Sequence, residues 1–337
     1  MEETNKKYNK TPLFHIGFPK AGSTMLQNQV FSRLSGTCFL GRHMIDERLE
    51  SRAQIINRGV PYLVNKSVRK FYREFINKDG FNYDEEKAFT LLKEISEGVG
   101  EEIAIFSHEG VLNTLLAYPD AAIKAERIFR LFGKDLRILI NIREQKHLIV
   151  SLYRHSPFDP YDVKSGKAMS IVDWINKEKR RKYSSVLDLL NYERTASLYT
   201  RLFGSENVLV LPLELMISNP QLYAEKLGEF MGTNVDELTT LLARKPANIG
   251  KSVGYNRLRQ FRRNLPTSVR FRSFIPEFLY NTVINILKKG KKEQIEIPSD
   301  LVCYFDEKYA ESNKRLSRLT GIDLKDLGYA VSSDSSK

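Results

Sequence analysis

Three groups of residues in this chain have types and spacings that could do chemistry. The first is the run Leu13-Phe14-His15-Ile16-Gly17-Phe18-Pro19-Lys20-Ala21-Gly22-Ser23-Thr24-Met25. An apolar stretch enters a Gly/Pro turn that contains a lysine, and a Ser/Thr pair then opens a helical pattern. Backbone N–H groups and a helix N-terminus that face one point bind phosphate-like anions, and Lys20 adds a full charge there. Gly17 and Gly22 have the separation found in the nucleotide loop GxxxxGK[ST], but Ser23 stands where the lysine of that loop would follow. In phosphoryl transfer, lysine and a Mg²⁺ held by the Ser/Thr hydroxyl together neutralise highly charged oxygens. A sulfuryl group carries less negative charge, so a lysine and hydroxyl donors suffice for its transfer and no metal is expected.

The second group is Arg143 at the end of the apolar run Leu136–Ile142, followed by Ser151 and Tyr153 in a helical pattern. An arginine leaving the C-terminal edge of a strand points into the crevice where α/β proteins bind ligands. Ser151 shares a helix face with His147, one turn earlier. The third group could move a proton. His108 and Glu109 follow the run Ile103–Phe106 in Ser107-His108-Glu109-Gly110, and His43 stands in Leu40-Gly41-Arg42-His43. Any of the three could serve as base, with His108 favoured over Glu109 and Glu109 over His43. His15 and His155 read as structural, and Trp174 with Asp159, Asp162 and Asp173 lacks a spacing that demands a metal.

At these residues the chain resembles the sulfotransferases that use 3'-phosphoadenosine 5'-phosphosulfate (PAPS). Pro19-Lys20-Ala21-Gly22-Ser23-Thr24 fits their Pro-Lys-small-Gly-[ST]-[ST] loop, and Arg143 with Ser151 and Tyr153 fits their second signature. The resemblance implies that Pro19 to Met25 grip the 5'-phosphosulfate, with Lys20 neutralising the bridging oxygen as it leaves. It also implies that Arg143 and Ser151 hold the 3'-phosphate, and that the product is 3'-phosphoadenosine 5'-phosphate. The Arg-Lys-Gly triplet of cytosolic members is missing; Asn248-Ile249-Gly250-Lys251-Ser252-Val253-Gly254-Tyr255 stands in its place. That loop is similar to the lid of bacterial and carbohydrate-modifying members, with Lys251 and Ser252 as its donors. The expected acceptor is a carbohydrate or glycolipid hydroxyl, in a cleft shaped by the Arg- and Tyr-rich insert around Arg58, Tyr62, Arg69, Tyr72 and Arg73 and by the segment after Ser156. The resemblance is firm over Thr11–Gln29 and Ile103–Tyr153.

The elements that must position these groups follow from the apolar pattern. Leu13–Phe18, Ile103–Ser107, Leu136–Ile142 and Val208–Leu211 read as buried strands, being continuous rather than alternating apolar runs. Helical patterns cover about Ser23–Leu34, Asp84–Ser96, Lys146–Arg154, Ile171–Lys177, Tyr183–Phe203, Gln221–Met231 and Val235–Leu242. Strands alternating with helices predict a three-layer, P-loop-type α/β fold with a central, mainly parallel sheet flanked by helices. We expect a single domain over residues 1–330: a donor-binding core at 11–155, the rest of the core and the lid loop at 156–255, and a basic helical region at 256–330. A flexible tail follows at 331–337.

Composition fits this reading. The 337 residues are 42% hydrophobic, which excludes a wholly disordered chain, and two cysteines, Cys38 and Cys303, exclude a disulfide scaffold or cysteine-based zinc site. With no signal-like N-terminus and no apolar run long enough to span a bilayer, the expected location is cytoplasmic. The formal charge of +12 is concentrated late: Lys251–Glu293 holds eleven Lys and Arg against Glu277 and Glu293, interleaved with aromatic residues. That segment is either a solvated helical face or a surface for an anionic partner, such as a membrane to which the protein would be peripheral. No specific nucleic-acid motif accompanies it. Two other functions compete. A small-molecule P-loop kinase would need a lysine beside Ser23 and an acidic residue for Mg²⁺, where Asn141-Ile142-Arg143 offers arginine. A non-catalytic basic module would show steep salt dependence and no turnover.

Overall fold

The computed structural model describes residues 10–41, 66–100, 102–112, 120–155, 169–181, 185–243 and 295–333. The chain divides into a larger unit, Met1–Arg244 with Ile297–Lys337, and a smaller one, Lys245–Glu296. The candidate functional residues placed by the structure lie in the larger unit. Its described strands are β1 (Leu13–Gly17), β2 (Thr37–Gly41), β3 (Ile103–Ser107), β4 (Arg137–Ile142) and β5 (Val208–Pro212). They form a parallel sheet in the order β2-β3-β1-β4-β5.

Its helices are α1 (Ser23–Met25, widening to π-type hydrogen bonding over Leu26–Phe31), α2 (Lys66–Asn77), α3 (Glu85–Glu97), α4 (Ala121–Phe132), α5 (Gln145–His155), α6 (Ile171–Arg180), α7 (Val186–Leu189), α8 (Tyr192–Phe203), α9 (Leu213–Ser218), α10 (Pro220–Met231), α11 (Val235–Leu242) and α12 (Ser299–Thr320). Their boundaries have local chemical causes. Asp84, Asp120, Ser170, Asn219 and Asn234 accept backbone N–H bonds at the starts of α3, α4, α6, α10 and α11. Every residue of β1 and β3 is buried, as a sheet covered on both faces requires.

The anticipated architecture is the one observed, with its central sheet parallel throughout. The expected long helix Tyr183–Phe203 is instead α7 and α8, broken at Asn191, whose backbone leaves helical geometry and whose side chain accepts from the Ser312 hydroxyl of α12 at 2.5 Å. A tertiary contact thus overrides a continuous helical pattern. Five elements have no counterpart among the expected spans: β2, α2, α4 and α9, and α12 within a region expected only to be helical.

The sheet core contains a buried polar chain. Gln27 Nε2 donates to Ser107 Oγ at 2.8 Å, and Ser107 Oγ lies 2.7 Å from His15 Nδ1. His15 is fully buried, its Nε2 has no partner among the described residues, and burial pulls its pKa down to about 3. The unfolded chain therefore binds this proton below about pH 6.5 while the folded chain refuses it. Stability is full above that pH and falls as the pH drops towards 3, by up to about 1.4 kcal/mol per pH unit from this group. Urea midpoints of wild type and His15→Gln across pH 4–7 check this: the variant should lose that part of the slope.

Candidate active site

The strand order creates the site. β1 lies between β3 and β4, so the chain departs to opposite sides from the C-terminal ends of neighbouring strands, and a crevice opens there. The loop after β1, the turn after β3 and the Arg143 junction after β4 all sit at that edge.

The loop is built from unusual backbone. Gly17, Lys20 and Gly22 have φ of 108°, 68° and 91°, and Lys20 is a non-glycine residue in the left-handed region. Phe18 N–H donates to Asn141 O at 2.5 Å and Ala21 N–H to Phe18 O at 3.2 Å, so the loop is stitched both to β4 and to itself. The Ser23 hydroxyl donates to Phe18 O at 3.2 Å. Gly22 heads α1 and no side chain caps the helix start, where Met25 and Leu26 N–H donate to Gly22 O. Ala21 and Ser23 are buried; Pro19, Lys20, Thr24 and Met25 are half-buried. Gly22 is favoured by its positive φ, and a Cβ there would also stand 3.0 Å from the side-chain ends Leu213 Cδ1 and Met216 Cε of α9.

Arg143 reaches this loop. Its Nη1 lies 3.4 Å from Lys20 O, joining the two sequence signatures in space. The junction that carries it is braced. Tyr192 OH donates to Arg143 O at 2.6 Å, and Glu144 N–H donates to Glu214 Oε1 at 3.0 Å. Glu144 in turn accepts from the N–H groups of Lys146 and His147, which starts α5. Tyr329 OH donates to Glu214 Oε2 at 2.8 Å, and Gln145 and Asn313 exchange amide hydrogen bonds. Ser151 is half-buried on α5, and Tyr153 OH donates to Met169 O while its ring packs on Trp174. Asp173 serves the Ser170 cap at the start of α6.

The turn after β3 completes the edge. His108 N–H donates to His15 O at 3.0 Å, continuing the sheet one residue further. The His108 ring is buried, packs 4.7 Å from Tyr72, and accepts at Nδ1 from Gly110 N–H at 2.9 Å. Glu109 is half-buried beside the foot of the loop, where a Cβ on Gly17 would lie 3.4 Å from Glu109 Cα. Phe18, Pro19, Leu112, Leu148, Leu152 and Leu189 line a small apolar pocket of about 10 Å³ adjoining the loop.

His43, Lys251 and Ser252 lie outside the described residues, as do Arg58, Tyr62, Asp159, Asp162 and the whole basic segment Lys251–Glu293. Arg69 and Arg73 are exposed on α2, whereas Tyr72 is buried, its OH donating to Leu40 O and accepting from Ser107 N–H. Among the described residues no group of three or more His, Cys, Asp or Glu could hold a metal ion, and no helix is long and apolar enough to cross a membrane. One residue at this edge went unforeseen. Lys124, on the buried face of α4, donates from Nζ to Gly110 O at 2.9 Å, and burial pulls its ammonium down to about 8 against the opposing pull of Asp120.

No family model and no curated protein matches the chain. Among solved structures it is similar to a sulfotransferase from Alicyclobacillus acidocaldarius, at 16% identity and a TM-score of 0.51, over 94% of this chain and 98% of that one. It is also similar to the sulfotransferase domain of the olefin synthase of Synechococcus PCC 7002 (12% identity, TM-score 0.40, 70% and 79% of the two chains). A sulfotransferase from Mycobacterium avium gives 12%, 0.38, 85% and 79%. The first of these likenesses defines the class: the chain has the α/β fold of a sulfotransferase.

The loop geometry is directly testable. Gly22→Ala combines left-handed backbone with contact on α9 and should cost about 2–3 kcal/mol. Gly36→Ala, at φ 69° with nothing within 4 Å of its added Cβ, should cost only the backbone part, about 1 kcal/mol. Denaturant midpoints of the two variants measure the difference.

Proposed function

We propose that this protein is a sulfotransferase that moves the sulfuryl group of PAPS to a hydroxyl of an acceptor, a carbohydrate or glycolipid. The observation that carries the reading is the contact between Arg143 and the Lys20 carbonyl at the switch point of the sheet. It supports one anion site made from both signatures, suited to a donor with phosphate at two positions. In this reading the residues from Pro19 to Met25 hold the 5' end, Arg143 and Ser151 the 3'-phosphate, and Lys251 with Ser252 close over it. The acceptor oxygen attacks sulfur, forming an S–O bond as the bond from sulfur to the phosphate oxygen breaks. The hydroxyl proton passes to a base, for which His108, Glu109 and His43 are the candidates, and 3'-phosphoadenosine 5'-phosphate departs with its new charge facing Lys20. The basic segment Lys251–Glu293 suits an anionic membrane surface carrying a glycolipid acceptor.

Lys20→Ala should lower kcat by about 10²–10³ while the fold is retained, since it removes charge stabilisation at the leaving oxygen. Arg143→Ala should weaken binding of 3'-phosphoadenosine 5'-phosphate by about 10- to 100-fold and that of 5'-AMP by far less. Equal losses, read by calorimetry, would count against its role. Wild type should gain more in Tm from the bisphosphate than from ADP with Mg²⁺; the reverse order would favour a kinase. His108→Ala, Glu109→Ala and His43→Ala compared in one transfer assay identify the base.

A further inference from the structure

We propose that Lys124 is a positioning residue: through Gly110 it holds His108 as an Nε2–H donor and so leaves Glu109, of these two neighbours, as the proton acceptor. The part concerning Glu109 rests on the transferase reading; the part concerning Lys124 and His108 does not.

The argument begins with burial. An ammonium removed from water costs several kcal/mol, and the Ala, Ile and Leu neighbours of Lys124 on the inner face of α4 would accommodate methionine. The other buried cation of this helix, Arg127, has a structural explanation. It donates to Phe75 O and Lys78 O at the end of α2 and lies over the Tyr83 ring. Lys124 instead donates to Gly110 O, in the turn that carries both His108 and Glu109.

That turn decides which nitrogen of His108 bears the proton. Gly110 N–H donates to Nδ1, and a ring nitrogen that accepts from N–H must present its lone pair, so the neutral ring is protonated at Nε2. A base needs a lone pair for the incoming proton, and the Nδ1 pair is already engaged. The ring has little room to turn. Tyr72 packs on it, its hydroxyl fixed between Leu40 O and Ser107 N–H. On the Gly110 side even a Cβ would come within 2.6 Å of the ring. Anchoring the Gly110 carbonyl therefore fixes the peptide on which the imidazole depends. Glu109, next along the chain, rests on Gly17 at the foot of the donor loop and bears a group that accepts when ionised.

The test uses the full-length protein with ¹⁵N-labelled histidine. The His108 nitrogen shifts of wild type should show the neutral Nε2–H form. Lys124→Met should lose this single form, and Gly110→Ala, which disturbs the ring from the other side, should do the same. In sulfuryl transfer, Lys124→Met should lower kcat about tenfold or more with the KM for the donor changed less than about threefold. The thermal shift given by 3'-phosphoadenosine 5'-phosphate should persist. Glu109→Gln should abolish transfer and leave the His108 shifts intact. An Nδ1–H ring in wild type, or unchanged shifts in a folded Lys124→Met, overturns the role of Lys124. Full transfer by Glu109→Gln overturns the division of labour. If Lys124→Met does not fold, Lys124→Gln takes its place in the same shift measurement, and the wild-type shifts still decide the His108 form. If wild type transfers no sulfuryl group, the function fails while the nitrogen shifts still judge Lys124.

Discussion

The site depends on a topological constraint: β1 is hydrogen-bonded on one side to β3 and on the other to β4, and the chain leaves these strands in diverging directions. Parallel strands all end at the same edge, so whatever follows β1, β3 and β4 is brought to one place however far apart it lies in sequence. The Arg143 contact with Lys20 O is the local expression of this constraint. It ties a guanidinium to a loop in which glycines take two of the three positive-φ positions and Lys20 alone bears the steric cost of a side chain there.

Beneath this edge the protein keeps polar groups that an apolar core would not need. Gln27, Ser107 and His15 form one buried chain, and Lys124 with the His108–Gly110 turn forms another. Each lies under the ends of the strands that carry the candidate chemistry, and each restricts which hydrogen-bonding partner its neighbour can take. Such groups weaken a core where they are left incomplete, and His15 Nε2 has no partner among the described residues. Their concentration at this end of the sheet matches a site whose proton positions must be defined.

Much of the fold was legible because parallel strands are buried on both faces. Leu13–Phe18, Ile103–Ser107 and Leu136–Ile142 read as mostly apolar, non-alternating runs, and the structure ends them within a residue or so of those limits. β2 escaped notice because Thr37-Cys38-Phe39-Leu40-Gly41 is short and half polar. The α4 pattern was masked by Lys124 and Arg127, whose charges occupy its inner face; a lysine and an arginine three residues apart among Ala, Ile and Leu were the available signal. The glycine loop and Arg143 stood out through their spacing of glycines, hydroxyls and cations, and the structure brings the two together at the Lys20 carbonyl. The roles of His108 and Glu109 were not, because they turn on one backbone N–H that no spacing encodes.

The brace on the Arg143 junction comes largely from late in the chain. Asp306 pairs with Lys146, Asn313 exchanges amide bonds with Gln145, and Tyr329 reaches Glu214. During synthesis on a ribosome the glycine loop and β4 emerge long before these partners. A nascent chain can therefore assemble most of its sheet while the Arg143 junction still lacks these three supports, which arrive only once residues 306 to 329 have been made.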